Sequence, residues 1–281
     1  MKQGFKLGEF ELFWLRGGSF ELDGGAMFGV VPKALWSKKY PADQDNSVPL
    51  VACPILVKTP GALILLESGL GNKLTDKQKQ IFRVKEDWSI LEDLRSLGIR
   101  REDVDFVILT HYDFDHSGGV VMLDEKGELT LAFPNAKHVV QRQEWEDVLN
   151  PNKRSINTFW PINYEALKRS GNLELIDGAV DVVKGVKAVH TGGHNRGHQI
   201  VRLESGGEAA LHLADLLPTH AHFNPLWVMA YDNYPLDAIR LKEELENQGI
   251  REGAWFTFYH DPFMLACKFD EKGNVLEKVT S

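Results

Sequence analysis

The chain has 281 residues, 43% of them hydrophobic and 26% charged, with a formal net charge of −8 at pH 7. That balance is globular from end to end and long enough to bury a sizeable core, so one domain over residues 1–281 is the economical expectation. The negative charge, with no dense Lys/Arg cluster to offset it, repels a phosphate backbone and argues against nucleic acid as a partner.

Strand-like runs come first, at 10–15, 50–58 and 62–67, the last ending at the turn Ser68-Gly69. Helical spacing follows at 76–82 and 88–97, with Gly98 as a stop. A short apolar strand at 104–109 ends at Thr110, directly before the densest group of ionisable residues in the chain. The pattern recurs with a strand at 138–141, a helix through Glu144, a Pro/Asn-rich passage at 150–163 and a strand at 186–189. Segments 200–204 and 209–214 around Gly206-Gly207 read as a hairpin that runs into Asp215. A helix at 236–247 then precedes a strand at 255–259 that stops at His260. No run approaches the roughly 18 apolar residues of a membrane span, and the first ten residues lack a secretion signal's apolar stretch. A cytoplasmic protein with no membrane partner is expected.

Four of these strands end in side chains able to bind metal. The first cluster is His111-Tyr112-Asp113-Phe114-Asp115-His116, followed by Ser117-Gly118-Gly119, where glycines would let one loop wrap around two adjacent ions. The second, from His190 to Gln199, carries His190, His194 and His198 at four-residue spacing, interrupted by glycines, so that one or two of the three can face a shared ion. With only two cysteines, Cys53 and Cys267, and neither in a CxxC spacing, a metal must be held by imidazole and carboxylate. That donor set suits Zn, Fe, Mn or Co.

The strand-THxxxDHxGG element at 110–119, the HTxGHxxGHQ element at 190–199, the strand-end Asp215 and the strand-end His260 occur in the order found in metallo-β-lactamase fold hydrolases. The chain resembles the branch that holds N-acyl homoserine lactone lactonases and organophosphate hydrolases, a likeness shared by the passages 24–29 and 215–218. The resemblance implies an α+β, αββα four-layer sandwich of two mixed sheets flanked by helices. It also implies two divalent metal ions, Zn first. His111, Asp113 and His194 would hold one ion, Asp115, His116 and His260 the other, and Asp215 would bridge them. In such a site a bridging hydroxide attacks an ester, lactone or phosphotriester, and Asp115 is a candidate proton shuttle beside the catalytic Asp215. His190 and His198 fit scaffold roles better than ligation.

Three departures stand out. Asp113 replaces the usual histidine, and a harder, charged ligand shifts preference towards Fe or Mn. A carboxylate there is also a feature of flavodiiron proteins, but this chain leaves no room for a flavin domain after His260. Glu67 stands where the family has Asp. Pro218 stands where the well-known lactonases have a tyrosine on the substrate carbonyl, leaving His220, His222 and Tyr231 as replacements. Met27, Phe28, Leu35, Trp36, Phe223 and Trp227 are either an apolar substrate wall or core. The expected reaction is hydrolysis of a small lactone or carboxylic ester, with phosphoester hydrolysis and a catalytically silent metal binder as alternatives. A homodimer is left open.

Overall fold

The structure, a computed structural model, describes residues 4–280. Two seven-stranded sheets form its centre. The first orders its strands as Phe5–Leu7, Phe10–Trp14, Ile55–Lys58, Leu63–Leu66, Phe106–Ile108, Lys137–Gln141 and Leu173–Ile176. Its early neighbours pair antiparallel and its later ones parallel. The second runs Ala179–Val183, Val186–His190, Gln199–Ser205, Glu208–His212, Trp255–Thr257, Ala266–Phe269 and Val275–Val279. Glu208–His212 and Trp255–Thr257 are parallel neighbours, which requires a crossover. The helix Pro235–Glu252 supplies it.

Alternation along each strand feeds two different apolar layers. Ile55, Val57, Ile64, Leu66, Ile108 and Val139 meet Val201, Leu203, Ala210 and Trp255 between the sheets. Their neighbours Leu56, Leu65, Val107 and Val140 point outward to the helices Ile90–Ser96, Arg142–Leu149 and Glu165–Ser170, through Leu94, Trp145 and Leu167. On the far side, Ile200, Leu211 and Phe256 meet Ala238 and Leu241 of the crossover helix. The order helix, sheet, sheet, helix is the expected αββα sandwich, and burial of the first sheet on both faces explains its nearly unbroken apolar strands.

The expected strand at 50–58 is two strands. Ser47–Val51 pairs with Ser19–Asp23 in a separate two-stranded sheet, and Ile55–Lys58 joins the first large sheet. Between them Ala52 and Cys53 donate to Gly18 and Tyr259, while Pro54 has no N–H to continue a ladder. The helix expected to end at 247 runs to Glu252. Gly249 does not break it, because a side chain there would lie 2.5 Å from the Phe256 ring: the glycine is a contact point against the sheet. Among the described residues no helix is long and apolar enough to cross a membrane.

Candidate metal centre

The strands Val186–His190, Glu208–His212 and Trp255–Thr257 run in one direction through the second sheet. Their C-terminal ends therefore open at the same edge, where the loop after Phe106–Ile108 joins them. His111, Asp113, Asp115, His116, His194, Asp215 and His260 all meet there. Three groups have ligand atoms within 4.8 Å of one another: His111, Asp113 and His194; Asp115, His116 and His260; and His111, His116 and Asp215.

Within the first group, Asp113 Oδ2 lies 3.1 Å from His194 Nε2 and 3.4 Å from His111 Nε2. Asp215 divides its two oxygens. Oδ1 is 3.2 Å from both His116 Nε2 and His260 Nε2, whereas Oδ2 faces His194 Nε2 at 3.6 Å. Asp115 Oδ2 sits 3.6 Å from His260 Nε2.

The donor set fits divalent cations. His260 Nδ1 donates to the Val51 carbonyl at 2.9 Å, and His194 Nδ1 donates to Asp232 at 2.7 Å, which leaves each Nε2 lone pair aimed inward. His116 Nε2 and His260 Nε2 face each other at 3.1 Å. His111 Nε2, Asp113 Oδ1 and Asp215 Oδ1 are buried with no hydrogen-bond partner, the kind of orphaned atoms that a bound cation satisfies. Mixed imidazole and carboxylate donors suit Zn, Fe or Mn.

Without an ion, the acids and imidazoles of the centre hold one another charged, and the carboxylates raise His116 and His194 well above the ordinary imidazole value despite their burial. Burial would raise the carboxyl of Asp215, but His116, His260 and His194 hold it well below the usual range. Asp113 is likewise held down against burial by His111 and His194. Burial and the neighbouring His116 push His111 down, towards the neutral form that ligates.

Strain and close packing fix the ligand loops. Of the described non-glycine residues with positive φ, Glu67 (64°) and Ala214 (45°) are adjacent to this site. Buried Glu67 accepts from the Thr110 amide at 3.2 Å and faces His116 Nδ1 at 3.5 Å and His212 Nε2 at 3.7 Å. The longer side chain thus still reaches behind a ligand histidine. The expected flexibility of Gly118 and Gly119 is a misreading: a Cβ on either would lie 2.2 or 2.0 Å from the carbonyl of Leu70 or Ser68. Both are glycine so that the ligand loop can lie flat on the 68–71 turn.

A cavity of about 260 Å³ opens over Asp113, Asp115 and Asp215. Tyr231 is in its wall. Burial and the nearby Asp215 and Asp115 keep this phenol protonated, and its hydroxyl contacts Met27 Sδ at 2.9 Å. The other two replacements considered for the missing tyrosine lie elsewhere: His220 is paired with Asp261 at 2.5 Å, and His222 donates to the Met27 carbonyl and stacks on Phe28. His198 is buried against Thr191, and His190 bonds the Arg196 carbonyl, so both brace the loop.

None of the six apolar residues considered for a substrate wall lines this cavity. Met27, Phe28 and Trp36 are fully buried core, Phe223 packs on Phe269, Trp227 packs partly buried against the same core as Phe28, and Leu35 is exposed. The apolar wall is instead Leu22, Ala26, Phe82 and Phe114. Phe82 and Phe114 stack with ring centres 4.3 Å apart. Asp232 carries no local sequence signal; its pairing with His194 is found only where distant segments meet.

Residues 54–251 match the metallo-beta-lactamase superfamily model, and the chain belongs to that superfamily. Within it, the chain is similar to an N-acyl homoserine lactonase of a Bacillus species, at 31% identity over 155 residues and 54% of each protein. It is also similar to the N-acyl homoserine lactonase AttM of Azorhizobium caulinodans, at 27% identity over 64% of this chain and 66% of the relative. The chain thus spans between about half and two thirds of the length of the curated relatives it matches. Among solved structures, "a probable metal-dependent hydrolase from Staphylococcus aureus" superposes with a TM-score of 0.93 at 40% identity over 99% of both chains. AidC, a dizinc quorum-quenching lactonase, superposes at 0.81 with 22% identity over 99% of this chain and 97% of its own, a likeness of fold.

Proposed function

We propose that this chain is a dinuclear metal-dependent hydrolase that opens lactones or cleaves related carboxylic esters. The observation that carries the proposal is the divided Asp215 carboxylate, with one oxygen facing His116 and His260 and the other facing His194. Such a carboxylate is suited to bridging two ions. The curated relatives that carry the name N-acyl homoserine lactonase support the substrate class.

Divalent ions held there, Zn by the donor set and Fe or Mn favoured by Asp113, supply a nucleophile at neutral pH and a Lewis acid for the attacked oxygen. The chain's own groups do the rest. Tyr231, protonated and at the cavity wall, donates a hydrogen bond to the substrate carbonyl in place of the tyrosine that Pro218 displaces. Asp115, in the cavity floor, carries a proton towards the leaving oxygen. Phe82, Phe114 and Leu22 exclude water from one side and seat an apolar acyl or ring group.

The test is metal content per chain in protein purified without added metal, with a lactone, a carboxylic ester and a phosphotriester assayed on the same sample. About two ions per chain with turnover of the lactone or ester is expected. A preference for the phosphotriester would overturn the substrate class, and two ions with no turnover on any of the three would make the chain a silent metal binder.

A further inference from the structure

Glu144 lies outside the cavity and is 1% exposed. One of its carboxyl oxygens, Oε1, accepts from the Tyr112 backbone amide at 2.8 Å and from Asn195 Nδ2 at 3.3 Å. Tyr112 is the residue between His111 and Asp113, and Asn195 follows His194. The same oxygen therefore pins both loops that carry the first ligand group. The link continues: Asn233 Nδ2 donates to Asn195 Oδ1 at 2.6 Å, and the Asn233 amide donates to the His194 carbonyl at 2.8 Å.

Packing leaves Glu144 little freedom to be replaced by another anchor. A Cβ on Gly197 would lie 2.1 Å from the Glu144 amide nitrogen, so the histidine loop rests directly on the start of helix Arg142–Leu149. Glu144 Oε2 is buried without a partner, while Oε1 alone serves both donors. The second ligand group is held by other means. Tyr259 donates to the Asp115 carbonyl, Ser68 donates to the His116 carbonyl, and His260 donates to Val51.

We infer that Glu144 is a positioning residue that sets the spacing of His111, Asp113 and His194, and so governs the affinity of the first metal ion and leaves the second untouched. The inference rests on the metal-binding reading above but not on the identity of the substrate. Burial, and then the charge of Asp113, push the Glu144 carboxyl up to about 8. It therefore stands mostly neutral at pH 7, adds no charge beside an already acidic centre, and is mimicked by glutamine.

The experiment is Zn²⁺ titration of the metal-free full chain, by competition with a chromophoric chelator, for wild type, Glu144→Gln and Glu144→Leu. Each is also measured in a His260→Ala background, where only the first group is intact. Wild type and Glu144→Gln are expected to bind alike. Glu144→Leu is expected to lose about 10- to 100-fold in affinity for the first ion with the second ion little changed; its metal-free form should also melt earlier, because the Tyr112 amide and Asn195 Nδ2 lose their acceptor. Should Glu144→Leu fail to fold, Asn195→Ala removes one arm of the same link and is expected to weaken the same ion. Equal weakening of both ions, no weakening, or a Glu144→Gln variant as impaired as Glu144→Leu would overturn the inference. A wild-type protein that holds one ion would overturn the dinuclear reading, while the affinity ratio in the His260→Ala background would still decide the role of Glu144.

Discussion

The two halves of the centre are built differently. His111, Asp113 and His194 are positioned by side chains from remote segments: Asp232 on His194 Nδ1, Glu144 on Tyr112 and Asn195, and Asn233 on Asn195. Asp115, His116 and His260 are held one at a time: the Tyr259 and Ser68 hydroxyls donate to the Asp115 and His116 carbonyls, Glu67 stands behind His116, and the Val51 carbonyl receives His260 Nδ1–H. One Glu144 oxygen ties both loops of the first half, so a single substitution there reaches both, whereas Tyr259, Ser68 and Val51 each hold one ligand segment of the second. The half with a carboxylate in place of a histidine is thus also the half most exposed to tuning by point changes.

Three variants probe that contrast. Asp215→Ala should disable both halves, because it removes the carboxylate that faces each: we expect both ions lost and turnover reduced by at least about 10³-fold, and a variant with two ions and unreduced turnover would refute the bridging role. Asp232→Ala should reach one half only. It frees His194 Nδ1, and an affinity loss of about 10- to 100-fold for one ion, with the second retained, is the expected titration result; loss of both would erase the distinction between the halves. Tyr231→Phe should touch neither half: metal content stays at the wild-type value while kcat/KM falls by about 10-fold, the worth of one hydrogen bond of roughly 1.4 kcal/mol. Unchanged kinetics would remove Tyr231 from substrate binding.

The acidic balance of the centre has an origin in the same comparison. Asp113 and Asp215 are kept ionised by neighbouring histidines, while Glu144, buried and beside the charge of Asp113, is pushed towards its neutral form. Identical chemistry thus takes opposite charge states over a short distance, decided by which neighbours each carboxyl meets.

The ligand-bearing clusters were readable in the sequence because each is local. His111 to His116 lie within one turn of loop after a strand, His190 to Gln199 are contiguous, and the strands leading to Asp215 and His260 show themselves by their apolar runs, although they end at His212 and Thr257, a few residues short of each. The apolar runs at 62–67 and 104–109 are likewise written in consecutive residues, and each holds a strand of the first sheet. The structure alone decided what depends on contact between distant segments. Whether 50–58 was one strand or two turned on Ser19–Asp23 being available as a partner. Tyr231, rather than His220 or His222, reached the cavity because Asp261 and the Met27 carbonyl had already captured the two histidines. Asp232 and Glu144 meet their partners across 38 and 32 residues of chain, and His116 meets His260 across 144. Periodicity and motif spacing report which side chains share a face or a loop, and they carry no term for such separations. Those were settled when the sheets packed and the loop ends were brought to a common edge.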